Sequence, residues 1–152
     1  MKHFLQIAAL LVAAAPAVAS EGEYMPPVTD AATQTECSEC HIPYPAGFLP
    51  QRSWTMIMTT LEDHFGENAM LDENTRTEIE AYLVQNAADA GGRSSGLLRQ
   101  IAPEATLLRI TELPWFVSEH RGEVSARSLE KAGSMSNCSA CHRGALQGIF
   151  ED

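Results

Sequence analysis

Hydrophobic side chains recur at helical spacing in several stretches of the chain. In the first stretch, Trp54, Ile57 and Leu61 follow one another in steps of three and four residues. His64 continues the series with a further step of three. Residues at these spacings share one face of a helix, so the pattern predicts an amphipathic helix with His64 on its apolar face. Gly66 follows closely and suits the end of this helix.

A second helix is predicted from Asp72 to Asn86. Ile79, Tyr82 and Leu83 mark its apolar face. Acidic side chains, beginning with Asp72, fall in its N-terminal half, where the helix dipole favours negative charge.

A third helix is predicted to end at His120. Thr111 is a plausible N-cap, and Pro114 is compatible with a first helical turn. Phe116 and His120 are four residues apart and therefore share a face. A short helix is predicted from Ser128 to Ala132. Because no alternation typical of strands occurs, the pattern predicts an all-α protein, mostly helical with irregular loops.

The N-terminus has the pattern of an export signal. Lys2 and His3 form a basic start, an apolar stretch runs from Phe4 to Val18, and small residues around Ala19 suit a signal peptidase. The apolar run is shorter than the ~20 residues of a membrane span. We therefore predict a cleaved signal peptide over residues 1–19 and an exported mature chain with no transmembrane segment.

The composition is that of an ordinary globular protein with an acidic balance. The 152 residues include 10 Lys+Arg and 20 Asp+Glu, which gives a formal net charge of −10. Loss of Lys2 with the signal peptide makes the mature chain more negative by one charge. This balance argues against nucleic acid as a partner and against electrostatic docking onto anionic lipid.

All four cysteines fall into two copies of the pattern Cys-x-x-Cys-His. The copies comprise Cys37, Cys40 and His41, and Cys138, Cys141 and His142. This pattern is the attachment signature of c-type haem. The two thiols form thioether bonds to the haem vinyl groups, and the adjacent histidine binds the iron. The motifs therefore predict two covalently attached haem c groups.

Other uses of paired cysteines explain the pattern less well. Two disulfides would leave the histidine after each pair unexplained. Structural zinc would also make these histidines redundant, and the long separation of the pairs is unlike a zinc ribbon. A thioredoxin-like redox motif needs a βαβ setting, whereas the flanking sequence indicates helix and loop.

The second axial ligands are predicted to be His64 and His120. These are the two histidines of the mature chain outside the motifs, and both lie on predicted apolar helix faces. The rival ligands are the mature methionines, namely Met25, Met56, Met58, Met70 and Met135. Met56 and Met58 suit core filling, and Met135 is too close to its own motif to reach the opposite face of the haem. Met70 stays open as an alternative ligand. Pairing of His64 with the second haem also stays open.

The predicted helices and motifs divide the mature chain into two haem-binding halves. Residues 20–87 hold the first motif, and residues 97–152 hold the second. Between them, residues 88–96 have the Gly- and Ser-rich composition of a flexible linker. Each half is small, so the two covalently attached haems are predicted to serve as apolar elements of the core.

Several stretches resemble the small dihaem cytochrome c family. They are Cys37 to Trp54, Leu61 to Ala69 with its Asp-His-Phe-Gly run, Arg109 to Phe116 with His120, and Gly148 to Phe150. The resemblance implies a periplasmic electron carrier with two bis-His haems, His41 pairing with His64 and His142 with His120. It also implies redox partners, including a membrane b-type cytochrome and a small high-spin haem protein.

The predicted function is outer-sphere electron transfer through two six-coordinate haems, without enzymatic activity. An enzyme or a diatomic-ligand binder needs one open or labile iron. No further histidine remains to act as a distal acid–base group in such a site. A haem-bearing subunit of a larger redox complex is the other alternative that the sequence leaves open.

Overall fold

The computed structural model describes residues 24–91 and 93–150. Its regular elements within these ranges are α1 (Ala31–Cys37), α2 (Gln51–Thr59), α3 (Glu73–Gln85), α4 (Pro114–Glu119) and α5 (Ala126–Ala132). Short 3₁₀ turns and irregular segments connect the helices. The described ranges contain no β-strand, only isolated bridges that pair Tyr24 with Ile149 and His64 with Glu67. The prediction of an all-α fold with irregular loops is confirmed.

The predicted signal peptide, residues 1–19, lies outside the described residues. In the ranges that are described, every helix is too short or too polar to cross a membrane. Cleavage and export therefore stay predictions.

The helix predicted from Asp72 to Asn86 is confirmed as α3. The Asp72 carboxylate caps its N-terminus and accepts a hydrogen bond from the Thr75 backbone N–H at 3.2 Å. Ile79 and Leu83 are buried on the predicted apolar face. The capping residue and the apolar residues are all close to one another in the sequence. The predicted ends of this helix are therefore correct to within one residue.

The helix α2 is shorter than predicted. Trp54 and Ile57 are buried on one face as expected, but the helix ends at Thr59 and a 3₁₀ turn, Leu61–Asp63, follows it. The hydroxyls of the last two threonines donate to carbonyls of the preceding helical turn, and such bonds compete with helix continuation. The prediction that His64 lies on this helix is therefore wrong.

The helix α4 begins later than predicted. Thr111 lies inside a 3₁₀ turn, Ile110–Glu112, and Leu113 occupies the N-cap position. Pro114 starts the helix because its fixed φ suits the first turn and it has no N–H to leave without a partner. The prediction that Thr111 is the N-cap is wrong, whereas Pro114 in the first turn is confirmed. His120 follows as the C-cap residue.

The helix α5 contains the short helix predicted from Ser128 to Ala132. It begins two residues earlier, at Ala126, because the Ser125 hydroxyl accepts a hydrogen bond from the Ser128 backbone N–H at 3.1 Å. Gly133 ends it with a φ of +75°.

One hydrophobic cluster joins segments from both sides of residues 88–96. Trp54 of α2 and Ile79 of α3 pack together in it, and Leu113 and Phe116 complete it from the later part of the chain. Leu113 has 0% of its surface exposed. The helix α4, which ends beside His120, is thereby held against the rest of the core.

The predicted linker, residues 88–96, begins with ordered contacts. Ala88 is buried, and its N–H donates to the Leu49 carbonyl at 2.9 Å. The Asp89 carboxylate accepts the backbone N–H of Gln51 at 2.7 Å and so caps α2 from outside the helix. The division of the chain into two halves around this stretch stays a prediction.

Candidate haem-binding sites

Both Cys-x-x-Cys-His motifs fold into a single tight turn. In the first motif, the backbone N–H of His41 donates to the carbonyl of Cys37 at 3.3 Å. In the second, the N–H of His142 donates to the carbonyl of Cys138 at 2.8 Å. The same backbone bond therefore closes both motifs and places each histidine one turn after the first cysteine.

No disulfide joins the four motif cysteines, and the two in each motif differ in exposure. Cys37 and Cys138 are half-buried, whereas Cys40 and Cys141 are exposed. Burial, with a smaller effect of Glu36, raises the pKa of the Cys37 thiol to about 11. Burial also raises the pKa of Cys138. Catalytic redox cysteines have lowered pKa values, so these shifts argue against a thiol redox centre.

Potential metal ligands occur in pairs in the described part of the chain. No group of three or more His, Cys, Asp or Glu side chains is gathered there in a way that could hold a metal ion. A structural zinc site needs four protein ligands. Haem iron needs at most two, because the macrocycle supplies the other four. Each Cys-x-x-Cys-His motif supplies one of these two ligands through its histidine.

His64 lies against the histidine of the first motif. The imidazole centroids of His41 and His64 are 6.1 Å apart, and their planes are inclined by 24°. The Nδ1 atom of His41 lies 2.7 Å from the Ile42 carbonyl oxygen. This bond requires the proton on Nδ1, which leaves the Nε2 lone pair for a metal ion. We refer to His41 and His64 as the first imidazole pair.

A tight turn carries His64. Phe65 and Gly66 both have positive φ, 59° and 104°, as in a type I′ turn. Backbone hydrogen bonds join His64 and Glu67 in both directions, at 2.7 and 3.3 Å. The Asp63 carboxylate accepts the Gly66 N–H at 2.9 Å. The Asp-His-Phe-Gly run is thus the sequence of a turn that presents one imidazole.

His120 lies against the histidine of the second motif. The centroids of His120 and His142 are 6.0 Å apart, and their planes are inclined by 89°. The His120 ring also stacks on Phe116 at 3.9 Å, which confirms that these two residues share a face. The Nδ1 atom of His120 lies 2.9 Å from the Phe116 carbonyl oxygen, so this ring too is held with Nε2 available. We refer to His120 and His142 as the second imidazole pair.

The separation within both pairs fits one iron between two imidazoles. An imidazole nitrogen binds a metal ion at about 2 Å, and the ring centroid lies about 1 Å behind that nitrogen. Two imidazoles on opposite sides of one iron therefore have centroids about 6 Å apart. Both pairs have this separation.

A buried donor next to Phe116, the residue that stacks on His120, also fits a bound haem. The indole N–H of Trp115 is buried and has no hydrogen-bond partner among the described residues. Buried donors normally have an acceptor. The propionate oxygens of a haem are acceptors of the required kind. Trp115 is the second residue of α4 and directly precedes Phe116.

The electrostatic surroundings of His64 favour its neutral form. Burial lowers its pKa, and the neighbouring His41 and Arg109 lower it further. The neutral imidazole is the form that binds metal ions. The Arg109 guanidinium lies 4.2 Å from the centroid of the Phe65 ring, so it covers the turn that carries His64.

The methionines differ in burial, and the most exposed of the rival ligands is Met70. Met58 is buried and fills the core as predicted, whereas Met56 is 45% exposed and does not. Met70, the rival ligand left open by the sequence, is 63% exposed. Met25 is buried beside the Gly148 backbone, to which its N–H donates at 2.8 Å.

Aromatic side chains around the imidazole pairs were missed by the sequence analysis. The Tyr44 ring stacks on His41 at 4.6 Å, and Phe150 lies 5.7 Å from His142. Phe48 contacts both Phe150 and Trp115, at 5.2 and 5.3 Å between centroids. The two contacts of Phe48 join distant parts of the chain, and no local periodicity indicates them. In the sequence, the family resemblance of the Gly148 to Phe150 stretch is the signal that points to Phe150.

An all-α protein with two Cys-x-x-Cys-His turns, each facing a second imidazole, has the features of a c-type cytochrome with two haems. Comparison with family models matches residues 33–150 to dihaem cytochrome c. The comparison with curated proteins finds no significant match.

Solved structures of dihaem cytochromes are similar to this chain. A diheme cytochrome c from Rhodobacter sphaeroides is 58% identical, with a TM-score of 0.78, over 82% of this chain and 98% of that chain. A diheme cytochrome type c from Shewanella baltica OS155 is 39% identical, with a TM-score of 0.64, over 80% and 86% of the two chains. The chain belongs to the dihaem cytochrome c family and carries two covalently bound haem c groups.

Proposed function

We propose that the protein is a periplasmic electron carrier with two six-coordinate haems. The thiols of Cys37 and Cys40 attach the first haem, and those of Cys138 and Cys141 attach the second. The first imidazole pair supplies both axial ligands of the first iron, and the second imidazole pair supplies those of the second. The observation that carries this proposal is the centroid separation of 6.1 and 6.0 Å within the two pairs.

The protein's own residues hold the ligands in place before any change of oxidation state. His41 and His120 are each fixed by a bond from Nδ1 to a backbone carbonyl, of Ile42 and Phe116 respectively. Such bonds set the tautomer and orientation of a ligating imidazole. His64 is held by its turn. When bound, the haem irons would supply the one-electron chemistry, and the four histidines of the two imidazole pairs would hold them.

The acidic surface indicates the charge of the partners. The chain has twice as many acidic as basic residues, and haem propionates add further negative charge. Such a surface steers basic partners toward it, and salt screens the attraction. We expect the rate of electron exchange with a basic redox protein to fall as ionic strength rises. A rate independent of salt would contradict this part of the proposal.

The export signal and the family support a proposal for the location and the partners. Residues 1–19 have the pattern of a signal peptide, and haem c attachment suits an exported protein. We propose that the partners are other redox proteins, including a membrane b-type cytochrome and a small high-spin haem protein. Mass spectrometry of protein from the periplasmic fraction tests the cleavage: we expect a start after residue 19 and two haems per chain.

Carbon monoxide distinguishes a carrier from an enzyme or a diatomic-ligand binder. It binds ferrous haem only where the sixth position is open or labile. We expect the dithionite-reduced protein to show two low-spin haems whose visible spectrum is unchanged by carbon monoxide. A high-spin fraction, or a spectral change with carbon monoxide, would favour the enzyme or ligand-binding alternative.

Single-ligand variants test the assignment of each histidine. His64→Ala and His120→Ala should each open one iron, so that each variant binds one carbon monoxide for every two haems. Met70→Leu is the matched control, because it removes the exposed rival ligand and should bind none. Carbon monoxide binding by Met70→Leu, or its absence in either histidine variant, would overturn the corresponding ligand assignment.

A further inference from the structure

Tyr44 lies outside both motifs, yet its side chain contacts both haem-binding sites. Its ring stacks on the His41 imidazole, with centroids 4.6 Å apart and planes inclined by 12°. Its hydroxyl donates a hydrogen bond to the Ser136 carbonyl at 2.8 Å, across 92 positions of the chain. A single half-buried side chain therefore joins the two sites.

The acceptor of this hydrogen bond belongs to the turn that opens the second motif. The Ser136 carbonyl also accepts the backbone N–H of Cys138 at 3.0 Å, and the Cys138 sulfur lies 3.6 Å from it. Cys138 is the first cysteine of the second motif. The Tyr44 hydroxyl and the Cys138 N–H thus donate to the same carbonyl oxygen. Loss of the hydroxyl leaves this carbonyl, and the turn that contains it, with one hydrogen bond fewer.

The ring of Tyr44 restrains the orientation of His41. The bond from His41 Nδ1 to the Ile42 carbonyl fixes one edge of the imidazole, and Tyr44 covers one of its faces. At the second site Phe116 covers His120 in the same way, with an inclination of 19°. Tyr44 differs from Phe116 because its hydroxyl also reaches the other site, through the Ser136 carbonyl.

We propose that Tyr44 is a positioning residue with two separable contacts. Its ring fixes the plane of the His41 imidazole, and its hydroxyl anchors the attachment turn of the second haem. The inference rests on the proposed function, because it takes His41 as an axial ligand.

The orientation of axial imidazoles has a direct spectroscopic signature. When the two planes are nearly parallel, both ligands interact with the same iron d orbital, and low-spin ferric haem gives a rhombic EPR spectrum. When the planes are perpendicular, two d orbitals are nearly degenerate, and one strongly anisotropic low-field feature results. With inclinations of 24° and 89°, we expect the wild-type protein to show one signal of each kind in equal amounts.

Two substitutions at Tyr44 separate the two contacts. Tyr44→Phe keeps the ring and removes the hydroxyl. We expect its rhombic signal to be unchanged, while the Cys138 amide exchanges with deuterium about fivefold faster, as the loss of one hydrogen bond implies. Tyr44→Leu removes the ring as well, and we expect a shifted or broadened rhombic signal in addition to the faster exchange.

Tyr82→Phe is the matched control. The Tyr82 hydroxyl accepts the Thr29 backbone N–H at 2.9 Å, so this variant also loses a hydrogen bond between distant segments. Among the ring contacts of the described residues, none joins Tyr82 to an imidazole. We expect wild-type EPR signals and wild-type exchange at Cys138. The same changes in Tyr82→Phe as in the Tyr44 variants would show a general loosening and overturn the inference.

The wild-type and variant spectra distinguish failure of this inference from failure of the proposed function. If the wild-type irons are both low-spin and closed to carbon monoxide, but Tyr44→Leu keeps its rhombic signal, only the role of the ring is refuted. Unchanged Cys138 exchange in Tyr44→Phe refutes the role of the hydroxyl. A high-spin wild-type signal refutes the proposed ligation itself.

Discussion

Gly148 joins the segment around Met25 to the end of the described chain, and an alanine there should loosen this junction. Gly148 has a φ of +76°, and its carbonyl accepts the Met25 N–H at 2.8 Å. A Cβ added at Gly148 would collide with the Met25 carbonyl oxygen and lie 3.2 Å from Cδ of Pro27. The neighbouring atom is backbone, so the two segments must separate. Phe150, which lies beside His142, follows Gly148 closely.

The expected cost of Gly148→Ala has two parts. A side chain at positive φ costs about 1–2 kcal/mol. Separation of the segments also loses the Met25 hydrogen bond, which contributes about 1 kcal/mol. The sum of about 2–3 kcal/mol corresponds to a fall in Tm of about 6–10 °C for a chain of this size. Thermal unfolding of the ferric holoprotein, followed by far-UV circular dichroism, measures it.

Gly133→Ala is the control for the strain alone. Gly133 has a φ of +75°, nearly the same as Gly148, but an added Cβ meets no atom within 4 Å. Its expected cost is about 1–2 kcal/mol, or a fall in Tm of about 4 °C. If Gly148→Ala loses no more stability than Gly133→Ala, the junction contributes nothing and the reasoning is refuted.

Three other substitutions test the packing and capping. Trp54→Phe removes the indole N–H that donates to a buried carbonyl at 2.7 Å, and we expect chemical denaturation to show a loss of about 1–3 kcal/mol. Hydrogen bonds from Thr75 lower the pKa of the Asp72 carboxyl. Asp72→Ala should therefore destabilise α3 near neutral pH. The difference in unfolding free energy between the variant and the wild type should disappear as the pH falls below 3.8, where the wild-type carboxyl becomes protonated. A difference that persists at low pH would contradict this. Arg109→Leu removes the cation over Phe65, with an expected loss of about 0.5–1 kcal/mol in the same denaturation assay.

The features that the sequence predicted correctly depend on neighbouring residues. The capping aspartate, the spacing of Ile79 and Leu83, and the first-turn proline of α4 all act within one element. The Cys-x-x-Cys-His motifs are equally local, because one backbone bond closes each turn. Such features carry their physical cause within a few residues, so periodicity and spacing are sufficient to identify them.

The errors arose where local competition or distant contacts decide the structure. His64 continues the apolar series of α2, but threonine side-chain bonds and a turn with two positive φ values end the helix before it. Tyr44 gave no signal, since its partner Ser136 is 92 positions away. Asp89, placed in a predicted linker, caps α2 for the same long-range reason.

The shared hydrophobic cluster limits how this protein could have been assembled in evolution. Because Leu113 and Phe116 complete the core formed by Trp54 and Ile79, neither haem-binding region has a closed apolar surface of its own. A gene duplication or recombination event that copied one region would transfer an attachment motif together with apolar side chains that have lost their covering residues. Either region expressed alone is therefore expected to expose part of this cluster to solvent.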